Sequence, residues 1–199
     1  MSKTAVLLLA AGSASRMGTP KQLLKWKNTT ILENAIHVVR QLKVEHTVVV
    51  LGAHYETIIS NINEGNYMIV KNKHWDQGLG NSIAFGVCYI QESFAEIENI
   101  LIVLADQPLI DFNFLNRMVK QHSLNKNQIV CTAYKNRKLG VPAIFNKIYF
   151  KELMQLNSDQ GARNILKKYS EELIYIDGKD LIQDIDTIDD YNTIYNKHH

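Results

Sequence analysis

Three short, unbroken apolar runs constrain this chain more than any other feature of it. They are Ala5-Val6-Leu7-Leu8-Leu9, Thr47-Val48-Val49-Val50-Leu51 and Ile100-Leu101-Ile102-Val103-Leu104. A strand that alternates apolar and polar residues can show one face to water. A strand that is apolar throughout has to be covered on both faces, which is the situation of a strand inside a parallel sheet. Each run also ends abruptly, in Ala-Ala-Gly, in Gly52 and in Ala105-Asp106-Gln107-Pro108.

The segments between the runs have helical spacing. Thr30-Ile31-Leu32-Glu33 has the T-x-x-E form of a capping box, and Ile31, Ala35, Val38, Val39 and Leu42 then recur with a helical period. A second helix is expected from His54 to Asn63 with Ile58, Ile59 and Ile62 inward, a third over Ser82–Ile90, and a fourth to about Leu124 with Asp111 as its cap. Tyr67–Val70, Gln128–Tyr134, Val141–Phe145 and Leu173–Ile176 read as further strands. Asn146–Leu156, Gly161–Tyr169 and Ile188–Tyr195 read as further helices. Alternation of this kind predicts an α/β fold, a Rossmann-like, doubly wound, mostly parallel sheet with helices on both faces and right-handed crossovers.

At 199 residues, with no repeat, linker or low-complexity stretch, residues 1–199 are expected to form a single domain. Hydrophobic residues make up 46% of the chain, enough for a sizeable core. A formal net charge of +2, with no basic run interleaved with aromatics, argues against nucleic acid or a membrane surface as partner. No stretch approaches the ~20 apolar residues of a membrane span. Lys3 followed by Ala5–Ala11 imitates a signal peptide, but the run is short for one and Arg16 follows directly. Cys88 and Cys131, the two cysteines, form no metal-spaced pair and read as buried free thiols, which suits a reducing cytoplasm.

The chemistry is expected where the strands end. After the first run the chain reads Leu9-Ala10-Ala11-Gly12-Ser13-Ala14-Ser15-Arg16-Met17-Gly18-Thr19-Pro20-Lys21. Small side chains let backbone amides approach a phosphate or a base, and the two cations suit a triphosphate. The spacing fits neither GxxxxGK[ST] nor GxGxxG. Asp106 follows another buried strand and opens onto the same crevice, where a carboxylate facing a triphosphate suits Mg²⁺. Asp184 and Asp186 share a face of an extended segment, and Thr187 is a natural helix cap with Asp190 three residues on.

The first loop resembles the LAAGxSxRMGxxK loop of NTP transferases, and the chain is similar to the molybdenum cofactor cytidylyltransferases and related molybdopterin nucleotidyltransferases. Leu104-Ala105-Asp106-Gln107-Pro108 and Asp184-Ile185-Asp186-Thr187 match that family's LADQP and DIDTPEDY, with Ile188 where the family has Pro. The resemblance covers about Ala5 to Tyr191. It implies a nucleotide-diphospho-sugar transferase-like fold and transfer of CMP, or another NMP, from an NTP to a phosphorylated acceptor. It makes Arg16, Lys21 and Asp106 catalytic, and Mg²⁺ the cofactor held by Asp106 and Asp186. Nucleotide binding falls to Leu9, Ala10, Ala11, Gly12, Arg16, Lys21, Gly78, Ser82 and Asp106. Ala-Ala-Gly favours CTP over GTP.

Asn72–Ile83 is similar to the family's base- and ribose-contacting loop, although Ser82 also reads as a helix start and Trp75 as packing. Gly140, Pro142 and Arg163 fall on the acceptor side, where a phosphorylated pterin would lie. Val141 replaces the family's frequent His, Ser158 replaces its Gly, and Arg163 either forks a phosphate or pairs with Asp159. Asp184 is undecided. A molybdenum hydroxylase or its chaperone is the implied protein partner. Transfer to a sugar or isoprenoid phosphate, and a non-catalytic role escorting the cofactor, remain alternatives.

Overall fold

A computed structural model describes residues 3–13, 17–135 and 138–198. In chain order, strand β1 (Thr4–Ala10) is followed by a two-strand hairpin, β2 (Lys25–Trp26) and β3 (Thr29–Thr30), and by helix α1 (Ile31–Arg40). Then come β4 (His46–Leu51), α2 (Tyr55–Ile59), β5 (Met68–Lys71), α3 (Leu79–Ser93), β6 (Asn99–Leu104) and α4 (Phe112–Leu124). The remainder is β7 (Val130–Ala133), β8 (Leu139–Asn146), α5 (Phe150–Leu153), α6 (Arg163–Lys168), β9 (Ile174–Asp177) and α7 (Ile188–His198).

Seven strands form one sheet in the order β5-β4-β1-β6-β8-β7-β9. The chain winds outward from β1 through β4 to β5, then returns to lay β6 on the other side of β1. The strand order therefore reverses between β1 and β6, and ligands of open α/β sheets bind beyond the carboxyl ends of such a strand pair. Registers Leu9↔Val50 and Leu9↔Leu104 put the ends of the three apolar runs at one level.

Alternation along β1 shows why every residue of it from Ala5 to Ala10 is apolar. Ala5, Leu7 and Leu9 face a core built with Ile83, Val87 and Ile90 of α3, Leu153 of α5 and Ile165 of α6. Val6, Leu8 and Ala10 face the opposite core, with Leu32, Ile36 and Val39 of α1, Ile58 of α2 and Phe114 and Met118 of α4. The doubly wound, two-faced arrangement expected from the sequence is present.

β8 runs antiparallel to both β6 and β7, because only five residues separate β7 from β8, too few for a crossover; the sheet is mostly parallel, as expected. Several expected element bounds are corrected. α2 stops at Ile59, which is 38% exposed, and Ile62 lies beyond it. α3 begins at Leu79, three residues before Ser82. The segment 146–156 is a 3-10 turn at Lys147–Tyr149 followed by the single turn of α5. The β2–β3 hairpin carries Trp26 into a third small cluster with Ile31, Ile185 and Ile194, packed by Tyr191 and Tyr195. That cluster fastens α7 and the segment before it to the start of the chain. Trp26 is 1% exposed and Ile185 is fully buried.

The expected caps are present. Thr30 and Glu33 form a reciprocal capping box, Asp111 Oδ1 accepts from Phe114 N at 2.7 Å, and Asp190 N donates to Thr187 Oγ1 at 3.1 Å while Thr187 N donates to Asp190 Oδ2 at 2.8 Å.

Candidate functional site

One cavity of about 220 Å³ opens at the β1/β6 reversal. Leu9, Ala10, Ala11, Gly12, Lys21, Gly78, Ser82 and Asp106 all line it, together with Gln22, Trp75, Leu79 and Leu104. Every nucleotide-binding candidate within the described residues is thus on the wall of a single crevice. Arg16 lies outside the described residues.

Lys21 is placed by a turn. Gly18 takes φ +69°, Pro20 sets the following backbone, and residues 21–23 wind into a 3-10 turn. The ammonium then points back under the sheet. Its Nζ donates to Asp106 Oδ2 at 2.6 Å, to the Ile185 carbonyl at 3.0 Å and to Asp186 Oδ1 at 3.3 Å. Burial alone would lower the Lys21 pKa. The charge and hydrogen bond of Asp106, and then those of Asp186, outweigh burial and hold it above the usual lysine value. The group is a cation throughout the physiological range.

The two aspartates reach Lys21 from residues 80 positions apart because the backbone joins them. Ile185 N donates to the Asp106 carbonyl at 3.0 Å, and the Ile185 side chain is locked in the third cluster. Asp184 and Asp186 flank that anchor. Asp186 stays largely open to solvent, while Asp106 is mostly enclosed, with side-chain exposures of 61% and 22%.

The carboxylates fit a hard cation. Asp106 Oδ1 is buried and has no hydrogen-bond partner among the described residues, an acceptor with its lone pairs unused. Magnesium takes one or two carboxylates and completes its shell with water and substrate phosphates. A two-carboxylate site with an orphaned oxygen matches that pattern. No cluster of three or more ligating side chains occurs among the described residues.

The second loop is held by close packing. Gly78 has φ +97°, and a Cβ there would lie 2.3 Å from Asp159 Oδ1. Gly80 N donates to the Ser158 carbonyl at 2.7 Å. The 72–82 and 157–161 segments therefore pack as one unit, with Asp159 against Gly78. No Asp159–Arg163 ion pair occurs among the described residues. Ser82 is 3% exposed and accepts from Asn72 Nδ2 at 3.2 Å, so it is a buried residue of the first turn of α3 as well as part of the crevice wall. Trp75 lines the crevice, and its side chain also closes over Gly52.

A smaller cavity of about 50 Å³ adjoins the first across Leu79 and Leu104 and is lined by Tyr134, Gly140, Val141, Gln160, Arg163 and Asp184. It brings Gly140 and Arg163 together. It does not include Pro142, whose carbonyl is occupied by the Thr132 hydroxyl at 2.7 Å. Asp184 turns into this second space. Gln107 Nε2 donates to Asp184 Oδ1 at 2.7 Å and to Tyr134 Oη at 3.2 Å, and Tyr134 donates to the Val141 carbonyl at 2.7 Å. Loss of solvation raises the Asp184 pKa; Asp106 and Asp186 push the same way, against the Gln107 hydrogen bond and Lys21. Burial pushes the Tyr134 phenol up to about 12, so it remains a donor.

Gln22, Gln107 and Tyr134 are site residues that sequence reasoning passed over. Gln107 stands inside the LADQP match without being given a role, and nothing in the local patterns of Gln22 or Tyr134 marks them. Gln22 follows Lys21 directly, and Gln107 follows Asp106, but their burial at 2% each is a property of the fold.

Over 194 residues, 92% of each chain, this chain is 28% identical to nicotine blue oxidoreductase of Paenarthrobacter nicotinovorans. Over 127 residues it is 30% identical to the bifunctional protein GlmU of Mycobacterium leprae, of which it spans 25%. Among solved structures it is similar to Rv0371c of Mycobacterium tuberculosis H37Rv, with TM-score 0.86, 25% identity and 98% of both chains covered. A manganese complex of the same mycobacterial protein superposes with TM-score 0.81 at 22% identity, covering 98% of this chain and 99% of that one. Residues 6–173, from β1 to the threshold of β9, match one family along their whole length, and with the strand-end crevice in place the chain belongs to the MobA-like NTP transferase domain family.

Proposed function

We propose that this protein transfers a nucleoside monophosphate, CMP by preference, from an NTP to a phosphorylated acceptor and releases pyrophosphate. Molybdopterin is the acceptor favoured by the resemblance. The observation that carries the reading is the convergence of Lys21, Asp106 and Asp186, the first two of which line the strand-end crevice.

Both reactants are anions, so neutralising charge and aligning the attack are most of the task. The acceptor phosphate attacks the α-phosphorus of the NTP, and the bond to the pyrophosphate oxygen breaks in line. An ionised phosphate brings its own nucleophilic oxygen and needs no general base. Lys21 stabilises the charge that builds on the α-phosphate, and Arg16 holds the β- and γ-phosphates. Asp106 and Asp186 would hold Mg²⁺, which when bound supplies charge neutralisation of the triphosphate. The manganese complex of the mycobacterial structure supports a divalent cation on this fold. Leu9, Ala10, Ala11 and Gly12 take the base edge, Gly78 and Ser82 the ribose side, and Gly140 and Arg163 the acceptor. Pro142 acts indirectly, by shaping β8. One domain suffices for both substrates. No described helix is long and apolar enough to cross a membrane.

Pyrophosphate release from CTP, UTP, GTP and ATP, each with and without molybdopterin and with sugar or isoprenoid phosphates as alternative acceptors, tests the reading. Release that requires CTP and the pterin supports it. A second reading rests on the full-length relative named an oxidoreductase: a pocket for a nucleotide-bearing redox cofactor. Tight binding of a flavin or nicotinamide nucleotide, with no pyrophosphate from any NTP, favours that reading instead.

A further inference from the structure

Gln22 is an unassigned residue of the crevice wall, and its side chain does something its neighbours cannot. Its amide nitrogen donates to the Ala10 carbonyl at 2.8 Å and to the Gly12 carbonyl at 2.9 Å. The orientation is forced, since two carbonyls can only accept. The intervening Ala11 carbonyl accepts from Ala53 N at 3.0 Å, and the Leu9 carbonyl from Ala105 N at 3.0 Å. All four carbonyls of the strand-end loop are therefore engaged within the protein. Among the described residues no acceptor meets the amide of Ala11 or of Gly12. The amides of Ala11 and Gly12, two residues that line the crevice, are thus donors not used within the described part of the protein.

The other end of Gln22 has no compensation. Its Oε1 is buried without a partner, and the residue is 2% exposed. An apolar side chain in that place would avoid an unpaired buried oxygen, so the position uses glutamine for its donor end.

We infer that Gln22 is the positioning residue that fixes base choice: by tying up the loop carbonyls it leaves two neighbouring amide donors, Ala11 N and Gly12 N, which match the adjacent N3 and O2 acceptors of cytosine. Uracil presents an N–H at N3, guanine an N–H at N1 beside its amino group, and adenine a single acceptor beside its amino group. Each sets a donor against a donor or leaves one amide unmatched. This inference rests on the nucleotidyltransferase reading and names the base that reading takes. The same side chain joins the base loop to the turn bearing Lys21, so base and phosphate are aligned by one residue.

The test is nucleotide binding in the presence of Mg²⁺, followed by calorimetry, with no acceptor required. The wild-type protein is expected to prefer CTP to UTP by on the order of tenfold, the worth of one to two neutral hydrogen bonds. Gln22→Met, which fills the space and cannot donate, is expected to bring that ratio to about twofold or less. A folded Gln22→Met protein with the wild-type ratio overturns the inference. Hydrogen exchange in the wild-type protein is the second measurement, and it stands even if the variant does not fold. The Ala11 and Gly12 amides should gain protection with CTP and less with UTP; equal protection by both nucleotides overturns the proposal. Wild-type protein that binds no NTP overturns the nucleotidyltransferase reading itself. Wild-type protein that binds all four equally overturns only the role of Gln22.

Discussion

At Lys21 one ammonium serves two aspartates and a carbonyl, the full complement that an enclosed cation needs. The three partners take all three of its protons, and two of them belong to the carboxylates proposed to hold a divalent cation. In the nucleotide-free protein, lysine and metal therefore compete for the same carboxylates. Lys21→Met should lower turnover by ~10²–10³-fold, the usual effect of removing one preorganised electrostatic group. It should also tighten Mn²⁺ binding in the absence of nucleotide, read by electron paramagnetic resonance. Mn²⁺ affinity that is unchanged or weaker would mean the cation sits elsewhere. Asp106→Asn is expected to abolish metal-dependent nucleotide binding, measured by calorimetry with and without Mg²⁺. Unaltered Mg²⁺ dependence would remove Asp106 from the site.

Two elements position these groups, and they differ in how readily the sequence discloses them. The segment before α7 holds Asp186 through its one buried residue, Ile185, which packs against Trp26 and Ile194. Ile185→Ala leaves the carboxylates in place chemically but removes their anchor. It should cost about 2–5 kcal/mol of stability, the usual range for such a truncation, seen in the denaturant midpoint. It should also raise the Mg²⁺ concentration needed for half-maximal activity. A stability loss with unchanged Mg²⁺ dependence would show that Asp186 is held otherwise. Gly78→Ala meets both a positive φ and the Asp159 side chain, so it should displace the 157–161 segment and weaken nucleotide binding together.

The apolar runs of β1, β4 and β6 disclosed their own burial and their two-sided packing, because a strand with no polar residue has no other stable place. The direction of β8 was not disclosed. Val141–Phe145 is apolar in either orientation, and only its short connection to β7 decides. The β2–β3 hairpin was missed because two-residue strands carry no period. The Lys21–Asp106–Asp186 meeting came from resemblance. Residues this far apart in sequence are brought together by strand order and by the third cluster, and neither is a local property. Gln22 was illegible, and Gln107 was visible only as a letter of the matched motif, because a glutamine reads as surface until a fold buries it.

For the whole molecule, stability should respond to acid through a histidine remote from the crevice. His122 on α4 is 2% exposed, its Nε2 has no partner among the described residues, and burial holds its pKa below the ordinary histidine value. The folded state keeps the ring neutral while the unfolded chain takes up a proton. The contribution is fully present above the unfolded pKa of about 6.5 and is lost as pH falls through the depressed folded value. Urea denaturation from pH 7.5 downward should show stability declining below about pH 6.5, and His122→Leu should flatten that part of the curve. Identical slopes in the two proteins would assign the decline to the carboxylates.

The strand order also divides labour across the sheet. The proposed nucleotide loops hang from β1, β5 and β6, whereas the Gly140–Arg163–Asp184 space lies beside β8 and α6, and the halves meet along the β6–β8 ladder from Asn99↔Asn146 to Ile102↔Ala143. Side chains on both banks of that ladder alternate between the two cores, Ile100, Ile102, Ala143 and Phe145 in one and Leu101 and Ile144 in the other, so an exchange across it has to keep them apolar. Chimeras spliced after Pro108 that take the following stretch from a relative but keep the Ile185–Asp186 anchor would be expected to inherit a new recipient for the same donor. Lineages could diversify what they modify by recombination at this seam, without relearning how to hold a nucleotide.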